Sequence, residues 1–401
     1  MFDVERRGCV WTAALVALAL FTLQTGAAVA AKETIRIGYL GQERAAAQPV
    51  SPLDEFAADE GGAGARLGIA DSSATGRFIG QSYLLIERRL KAGEEAAAAV
   101  AALAAEGARF VVANLDADLL RKAADAPEAA SLTILNARAP DDALRGECRK
   151  NLLHTIPSRA MLADALAQYL AWKRWRRWFL VVGPETGDGL YAEAIRRAAK
   201  RFGAEIAAEK IWSFQAGNAR ADTGHVTLQA EIPAFTNVAE HDVLVVADEA
   251  NAFGDYLEGR TARPRPVAGT QHLVATGWSA VNEQWGAAQL ASRFAKVAGR
   301  RMTAVDYAAW AAARSIGEAA TRLRTTDPDR IAAYLRGPEF LLSGFKGRGQ
   351  SFREWDGQMR QPILIAGPRL LISASPQPGF LHRSSELDTL GLDREESPCK
   401  R

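Results

Sequence analysis

Runs of apolar residues with no polar interruption constrain this chain most. Trp178–Val182 (WFLVV) and Val243–Ala247 (VLVVA) are apolar at every position. A strand of that kind is tolerated only where both faces are covered, as in a parallel sheet flanked by helices. Ile35–Leu40 (IRIGYL), Phe110–Ala113 (FVVA), Leu132–Leu135 (LTIL) and Ser82–Glu87 (SYLLIE) read as further strands. Helical patterns separate them. Leu162, Leu166, Tyr169 and Leu170 fall on one helical face behind Ser158, an N-cap. Tyr191, Ile195, Ala198 and Phe202 stripe another helix that Gly203 ends, and Glu94–Glu106 is alanine-rich and closed by Gly107. Phe56–Ala70 reads as a small-residue helix. Thr303-Ala-Val-Asp306 is a capping box before a helix carrying Tyr307, Trp310, Ile316 and Leu323. Strands alternating with helices predict an α/β fold of mostly parallel sheets with helices on both faces.

The first thirty residues carry a different signal. Arg6 and Arg7 precede the apolar run Val10–Leu23, and Ala28-Val29-Ala30 offers a small-x-small cleavage site. Residues 1–30 therefore read as a signal peptide, with an uncleaved N-terminal anchor as the alternative. Roughly 370 residues remain, too many for one ordinary core and suited to two domains. Lysine plus arginine (49) and aspartate plus glutamate (47) nearly balance, which points to neither nucleic acid nor an anionic membrane. Beyond the leader only Cys148 and Cys399 are left. In an oxidising compartment they can form one bridge; two free thiols are the alternative.

Catalytic signatures are missing. The five histidines occur singly, outside any HExxH pattern, and there is no CxxC, no Gly-x-Ser-x-Gly elbow, and no GxGxxG after the first strand. No cofactor is expected. Asp141-Asp142 and Glu395-Glu396 read as solvated loops. Trp172-Lys-Arg-Trp-Arg-Arg-Trp178 interleaves bases and aromatics, but cations suit a helix C-terminus and the tryptophans suit a chain entering a strand. That reading is preferred to nucleic-acid binding.

Ile35-Arg-Ile-Gly-Tyr-Leu-Gly41, Ala63–Ala70, His154-Thr-Ile-Pro-Ser158, Gly187-Asp-Gly-Leu-Tyr191 and Gly269 to Leu323 together resemble type I periplasmic solute-binding proteins of the leucine/isoleucine/valine class. The order and spacing carry the resemblance. It implies a two-lobed fold with a ligand trapped between lobes: residues 31–155 and 275–345 in the first lobe, 156–274 and 346–375 in the second, and 376–401 as a loosely packed tail anchored at Cys399. It also implies a periplasmic monomer that binds an amino acid or organic acid-like ligand and serves the permease of an ABC transporter. A narrower resemblance lies in Gly269-Thr-Gln-His-Leu273, Glu283-Gln-Trp-Gly286, Phe352-Arg-Glu-Trp-Asp-Gly357 and Phe380–Gly391. These stretches are similar to the subgroup associated with pyrroloquinoline quinone-dependent alcohol dehydrogenase systems, which implies an alternative role as a sensor or accessory factor.

Ligands of such sheets bind where the strands end at their carboxyl side. Amino-acid binders of the family present hydroxyls after the third and fourth strands. Here those loops read Asn114-Leu-Asp116 and Asn136-Ala-Arg138. Asp116 would repel a carboxylate, whereas Arg138 could clamp one. In the second lobe Glu249 lies near the family's acid for the ligand ammonium, or is a helix N-terminal acid. Tyr191 is a candidate contact, Asp188 a candidate helix cap beside Glu185, and Trp278 either stacks on ligand near a crossover or packs in the core. Trp285 reads as packing. The stretch from Ala250 to Val267 is short, as if a strand–helix unit had been trimmed.

Overall fold

The structure is a computed structural model that describes residues 34–44, 57–213 and 231–399; the signal-peptide reading lies outside them. Five parallel strands open the fold: β1 (Thr34–Gln42), β2 (Ser82–Leu90), β3 (Phe110–Asn114), β4 (Thr133–Asn136) and β5 (Leu152–His154), in the order β2-β1-β3-β4-β5. The second sheet begins with β6 (Arg177–Val182), β7 (Glu205–Ile211), β8 (Val243–Ala247), β9 (Val267–Gly269) and β10 (Leu273–Thr276). A small antiparallel ladder follows in the chain, β11 (Leu342–Ser343), β12 (Gly349–Phe352) and β13 (Met359–Arg360). Finally β14 (Ile363–Ala366) and β15 (Leu371–Ser375) return antiparallel to complete the second sheet, β15-β14-β10-β9-β8-β6-β7.

Each sheet is covered on both faces, as the uninterrupted apolar runs require. In the first lobe one face packs on α1 (Gly62–Gly76), while α2 (Ala96–Ala105), α3 (Ala117–Ala124) and α4 (Asp142–Gly146) lie on the other. The second lobe sets α5 (Arg159–Trp172) and α6 (Thr186–Phe202) on the face that carries Trp178, Leu180 and Val182. Phe179 and Val181 face the opposite way, against Trp212 and Phe253. α7 (Ala287–Ala298), α8 (Ala304–Leu323) and α9 (Pro328–Arg336) return to the first lobe and finish the α1 side. Between β8 and β9 stands only the 3-10 turn Gly254–Tyr256.

The capping predictions hold. Ser158 Oγ accepts from the Met161 amide at 3.3 Å, and Thr303 and Asp306 cap α8 reciprocally. Trp178 is buried and its indole donates to the Trp175 carbonyl at 2.8 Å, so the basic aromatic stretch is a helix end turning into a strand. The small-residue helix starts and ends six residues later than the sequence pattern placed it. Its glycines mark contact, not weakness. A Cβ on Gly64 would stand 1.9 Å from the Asp306 carbonyl oxygen, and one on Gly68 would press on Trp310, so two backbones meet where side chains would separate them.

The chain changes lobes three times: at Thr155–Ser158, from Gly277 onward, and at Gln361–Pro362. The sequence division put the last exchange near residue 345. Instead, Leu342, Phe352 and Met359 of the β11–β13 ladder join the first lobe's core. Lys346, 1% exposed, ties the crossings together. Its Nζ donates to the carbonyls of Gly277 (2.6 Å) and Pro362 (3.1 Å) and to Gln361 Oε1 (2.6 Å), and lies 4.4 Å from the Tyr307 ring centroid. Gln361 in turn donates to the Thr155 carbonyl at 2.7 Å. Burial pushes the Lys346 pKa well down; three acceptors and an aromatic face hold the proton against it.

The tail departs from expectation too. It is not loosely packed: Leu387, Asp388 and Leu390 are buried, and Asp388 accepts from both Arg353 (2.8 Å) and Arg360 (2.9 Å). Its polar composition concealed a buried ion cluster. Cys148 and Cys399 are bonded, with Cα atoms 5.4 Å apart. Replacing Lys346 by methionine, similar in volume, should lower stability by about 2–4 kcal/mol, because acceptors on two crossings lose their donor. Urea unfolding measures this; a loss below about 0.5 kcal/mol, the range of ordinary surface changes, would show that the lysine does not hold the crossings.

Candidate functional site

Strands β3 and β4 of one lobe and β6 and β8 of the other end on a shared cleft of about 990 Å³. The helices that follow these strands begin there, so several helix N-termini, each carrying partial positive charge, face the space.

On the first lobe's wall Arg138 is held from behind. Its Nε donates to Asn114 Oδ1 and its Nη2 to Glu60. Asn114, 5% exposed, is fixed by Nδ2 bonds to the Tyr39 hydroxyl and the Glu60 carbonyl, both 2.7 Å. Asn136, fully buried, shapes the loop that presents Arg138: its Oδ1 accepts the amides of Arg138 (3.1 Å) and Ala139 (2.9 Å). Asp116 opens α3 and pairs with Arg44 and Gln42.

On the second lobe's wall the central group is one that sequence reasoning missed. Arg159, 7% exposed, donates through Nε (2.9 Å) and Nη2 (2.7 Å) to both oxygens of Glu249. Its Nη1 forms an ion pair with Asp141 of the first lobe at 3.2 Å. Burial raises the Glu249 pKa, and the Arg159 guanidinium opposes that shift. Asp188 is fully buried below them and accepts amides from Glu185 (3.1 Å), Glu249 (2.6 Å) and Ala250 (3.4 Å). It is thus both the helix cap anticipated from sequence and the bracket that fixes Glu249. Tyr191 is buried beside Glu249 and lines the cleft, and burial pushes its phenol well above the ordinary range, so it stays a donor.

Of the seven residues singled out from sequence, Asp116, Arg138, Tyr191 and Glu249 line the cleft. Asn114 and Asn136 sit beneath it as supports. Trp278 is not brought there. It is 3% exposed and stacks on Tyr307 at 4.7 Å in the first lobe's core, the packing alternative. Trp285 is 44% exposed and lies against Gly347. One sequence signal could have pointed to Arg159: a cation directly after the N-cap Ser158 stands at the positive end of a helix and needs an acid nearby.

Residues 34–368 match the family described as periplasmic binding protein. The structure is similar to the closed leucine-, isoleucine-, valine-, threonine- and alanine-binding protein of Brucella ovis, with a TM-score of 0.64 at 18% identity over 84% of this chain and 90% of that one. It is also similar to a branched-chain amino acid ABC transporter periplasmic ligand-binding protein of Burkholderia xenovorans, with a TM-score of 0.65 at 16% identity over 85% and 95%. A third likeness is to a solute-binding protein of R. palustris in complex with benzoate, with a TM-score of 0.62 at 10% identity over 92% and 100%. All three are named as binding proteins. No curated protein matches the chain. Among the described residues no helix is long and apolar enough to cross a membrane.

Asp188→Ala should cost about 2–3 kcal/mol by stranding buried amides and should free Glu249 to move. A thermal melt reads the first effect, and an unchanged midpoint would contradict the bracket assigned to Asp188.

Proposed function

We propose, since this chain belongs to the periplasmic binding protein family, that it is an exported receptor that traps a small carboxylate between its lobes for an ABC-type importer. The observation that carries the reading is the way the cleft's charges are spent. An ammonium ligand needs an uncompensated acid, and the charge of Glu249 is already balanced by the bidentate Arg159 pair. A carboxylate needs donors. Arg159 Nη1 is held by an ion pair to Asp141 at 3.2 Å, and Arg138, which lines the cleft, is bonded at Nε and Nη2 and has Nη1 left to donate. The neutral Tyr191 hydroxyl and the first turn of α6 add donors of the same sign.

The reading favours an organic acid over an α-amino acid, in the direction of the benzoate-bound relative and away from the branched-chain binders. The ion pairs already in place lower the cost of closure, because each guanidinium is oriented before ligand arrives. Ligand then shifts an open–closed equilibrium by its extra contacts in the closed form, the form a permease would recognise.

A second reading has its own support. The stretches similar to the alcohol-oxidation subgroup, 352–357 and 380–391, come together: Arg353 and Asp388 pair in the interior, and Arg353 Nη2 donates to the Leu390 carbonyl at 2.7 Å. That buried cluster is consistent with an accessory role beside a pyrroloquinoline quinone-dependent dehydrogenase, with the same cleft sensing an acid product of alcohol oxidation.

A thermal-shift screen of aliphatic and aromatic carboxylates against amino acids and pyrroloquinoline quinone tests both. A carboxylate at 100 times its Kd should add about 2.7 kcal/mol to stability. Arg159→Gln and Arg138→Gln should each weaken the hit by about 2 kcal/mol. Tight binding of an α-amino acid that survives Arg159→Gln would defeat the carboxylate reading.

A further inference from the structure

The family match ends at residue 368, and the tail beyond it makes contacts with both lobes. From Ser375 the chain runs across the outer face of α5 and α6 in the second lobe. Ser375 Oγ donates to the Ala165 carbonyl (2.8 Å) and the Gln377 amide to Gln168 Oε1 (3.1 Å). Leu390 enters the second lobe's core. The Gly391 amide donates to buried Asp164 (2.8 Å), while Arg197 (3.1 Å) and Arg201 (2.7 Å) donate to its carbonyl. Both arginines also reach Glu396 at 3.3 Å. The same stretch also meets the first lobe's ladder: Asp388 accepts from Arg353 (2.8 Å) and Arg360 (2.9 Å), and Arg353 Nη2 donates to the Leu390 carbonyl (2.7 Å).

The last bond ties the tail to the first lobe covalently, next to α4. Cys399 is joined to Cys148, which lies between α4 and β5. Ion pairs on either side hold that stretch within the first lobe: Glu147 with Arg121 (2.7 Å) and Arg149 with Asp125 (2.7 Å). Pro398 rests on Gly146. Where the tail passes from one lobe to the other there is a gap of about 300 Å³ between α4 and α6. It is lined by Asp142 and Ala143 on one side, Glu193 and Arg197 on the other, and Leu392 of the tail. Asp141 and Arg159, which meet across the ligand cleft, line this gap as well, so it is the cleft's flank.

We propose that residues 376–399 are a covalent strap that limits how far the two lobes can part. The crossings at Thr155, Gly277 and Gln361 allow the lobes to rotate about a hinge. The strap adds a fourth connection, the only covalent one among the described residues apart from the backbone. It ends on α4, where the Cys399 sulfur meets the Arg145 carbonyl at 3.2 Å on the flank of the cleft. Its slack is small: from Glu396 to Cys399 the backbone spans only about 10 Å when fully extended. Moving α4 away from α6 beyond that reach must pull Glu396 from two arginines or drag Gly391 off Asp164. The ligand-free protein is therefore kept near the lobe arrangement described here, and the disulfide sets the range of opening as well as adding stability.

The test separates restraint from simple stapling. Small-angle scattering of the ligand-free full chain is compared for three forms: the oxidised protein, the Cys148→Ser/Cys399→Ser protein, and a protein with four glycine and serine residues inserted between Glu396 and Ser397. Mass spectrometry verifies that the inserted form keeps its disulfide. The strap predicts a larger radius of gyration for both altered forms, with circular dichroism unchanged. An inserted form that scatters like the parent shows that the bond merely fastens the tail, and overturns the proposal. If the serine form fails to fold, the inserted form alone decides, because it retains the bond and changes only its reach.

Discussion

An ammonium ion sits where the chain passes between its lobes. Lys346 donates to the second crossing at Gly277 and to the third at Gln361 and Pro362, and Gln361 passes the connection to the first at Thr155. Burying such a group is costly unless all its donors are met. Here they are met by acceptors that belong to separate passages of the chain, so the charge is satisfied only when the passages lie side by side. The lateral relation of the two sheets follows from that, and with it the facing of the loops after β3 and β4 toward those after β6 and β8. Gln358 reinforces the same place by donating to the Ile156 carbonyl at 3.1 Å, and Arg145 does so at 3.0 Å.

A cleft placed in this way could have been lined with bare charges. Instead each cation that lines its walls is given an acid from its own lobe: Arg44 with Asp116, Arg121 with Glu147, Arg138 with Glu60, Arg159 with Glu249. Such pairing fixes side chains that would otherwise sweep many rotamers, and leaves each guanidinium edge that is not engaged as a directed donor. Arg159 differs from the others because its remaining edge also approaches Asp141 across the cleft. The site is polar without carrying a large field of one sign, and its selectivity rests on which hydrogen-bonding edges remain free.

Much of this architecture is legible in the amino-acid order, because it is local. WFLVV and VLVVA must be buried on both faces, and they become β6 and β8, with every residue of VLVVA buried. Ser158, Asp188 and the Thr303–Asp306 pair act within one turn of their own helices, so their spacing reveals them. The cysteine pair is legible by elimination of other partners. The remainder is set by residues far apart in the chain. Arg159 meets an acid ninety positions later, and no periodicity encodes that. The register of α1 was misread because Gly64 and Gly68 weaken a helix by propensity while permitting its closest contact, with α8. Residues 380–393 look like a solvated tail until Arg353 and Arg360 are found opposite Asp388. Trp278 could be placed near a crossing from sequence, but the choice between cleft and core depended on Tyr307, which stacks beneath it.

The Cys148–Cys399 bond spans 251 positions and thereby turns most of the molecule into a closed loop of backbone. The whole second lobe and the helices α7 to α9 lie on that loop. A single peptide cleavage anywhere within it, for instance in the exposed turn around Glu258 and Gly259, opens the loop without producing two separate pieces. The cut ends remain joined through sulfur, and both cores stay packed around the site. One cut in the loop therefore leaves one covalent molecule, where the same cut in an unbridged chain would leave two.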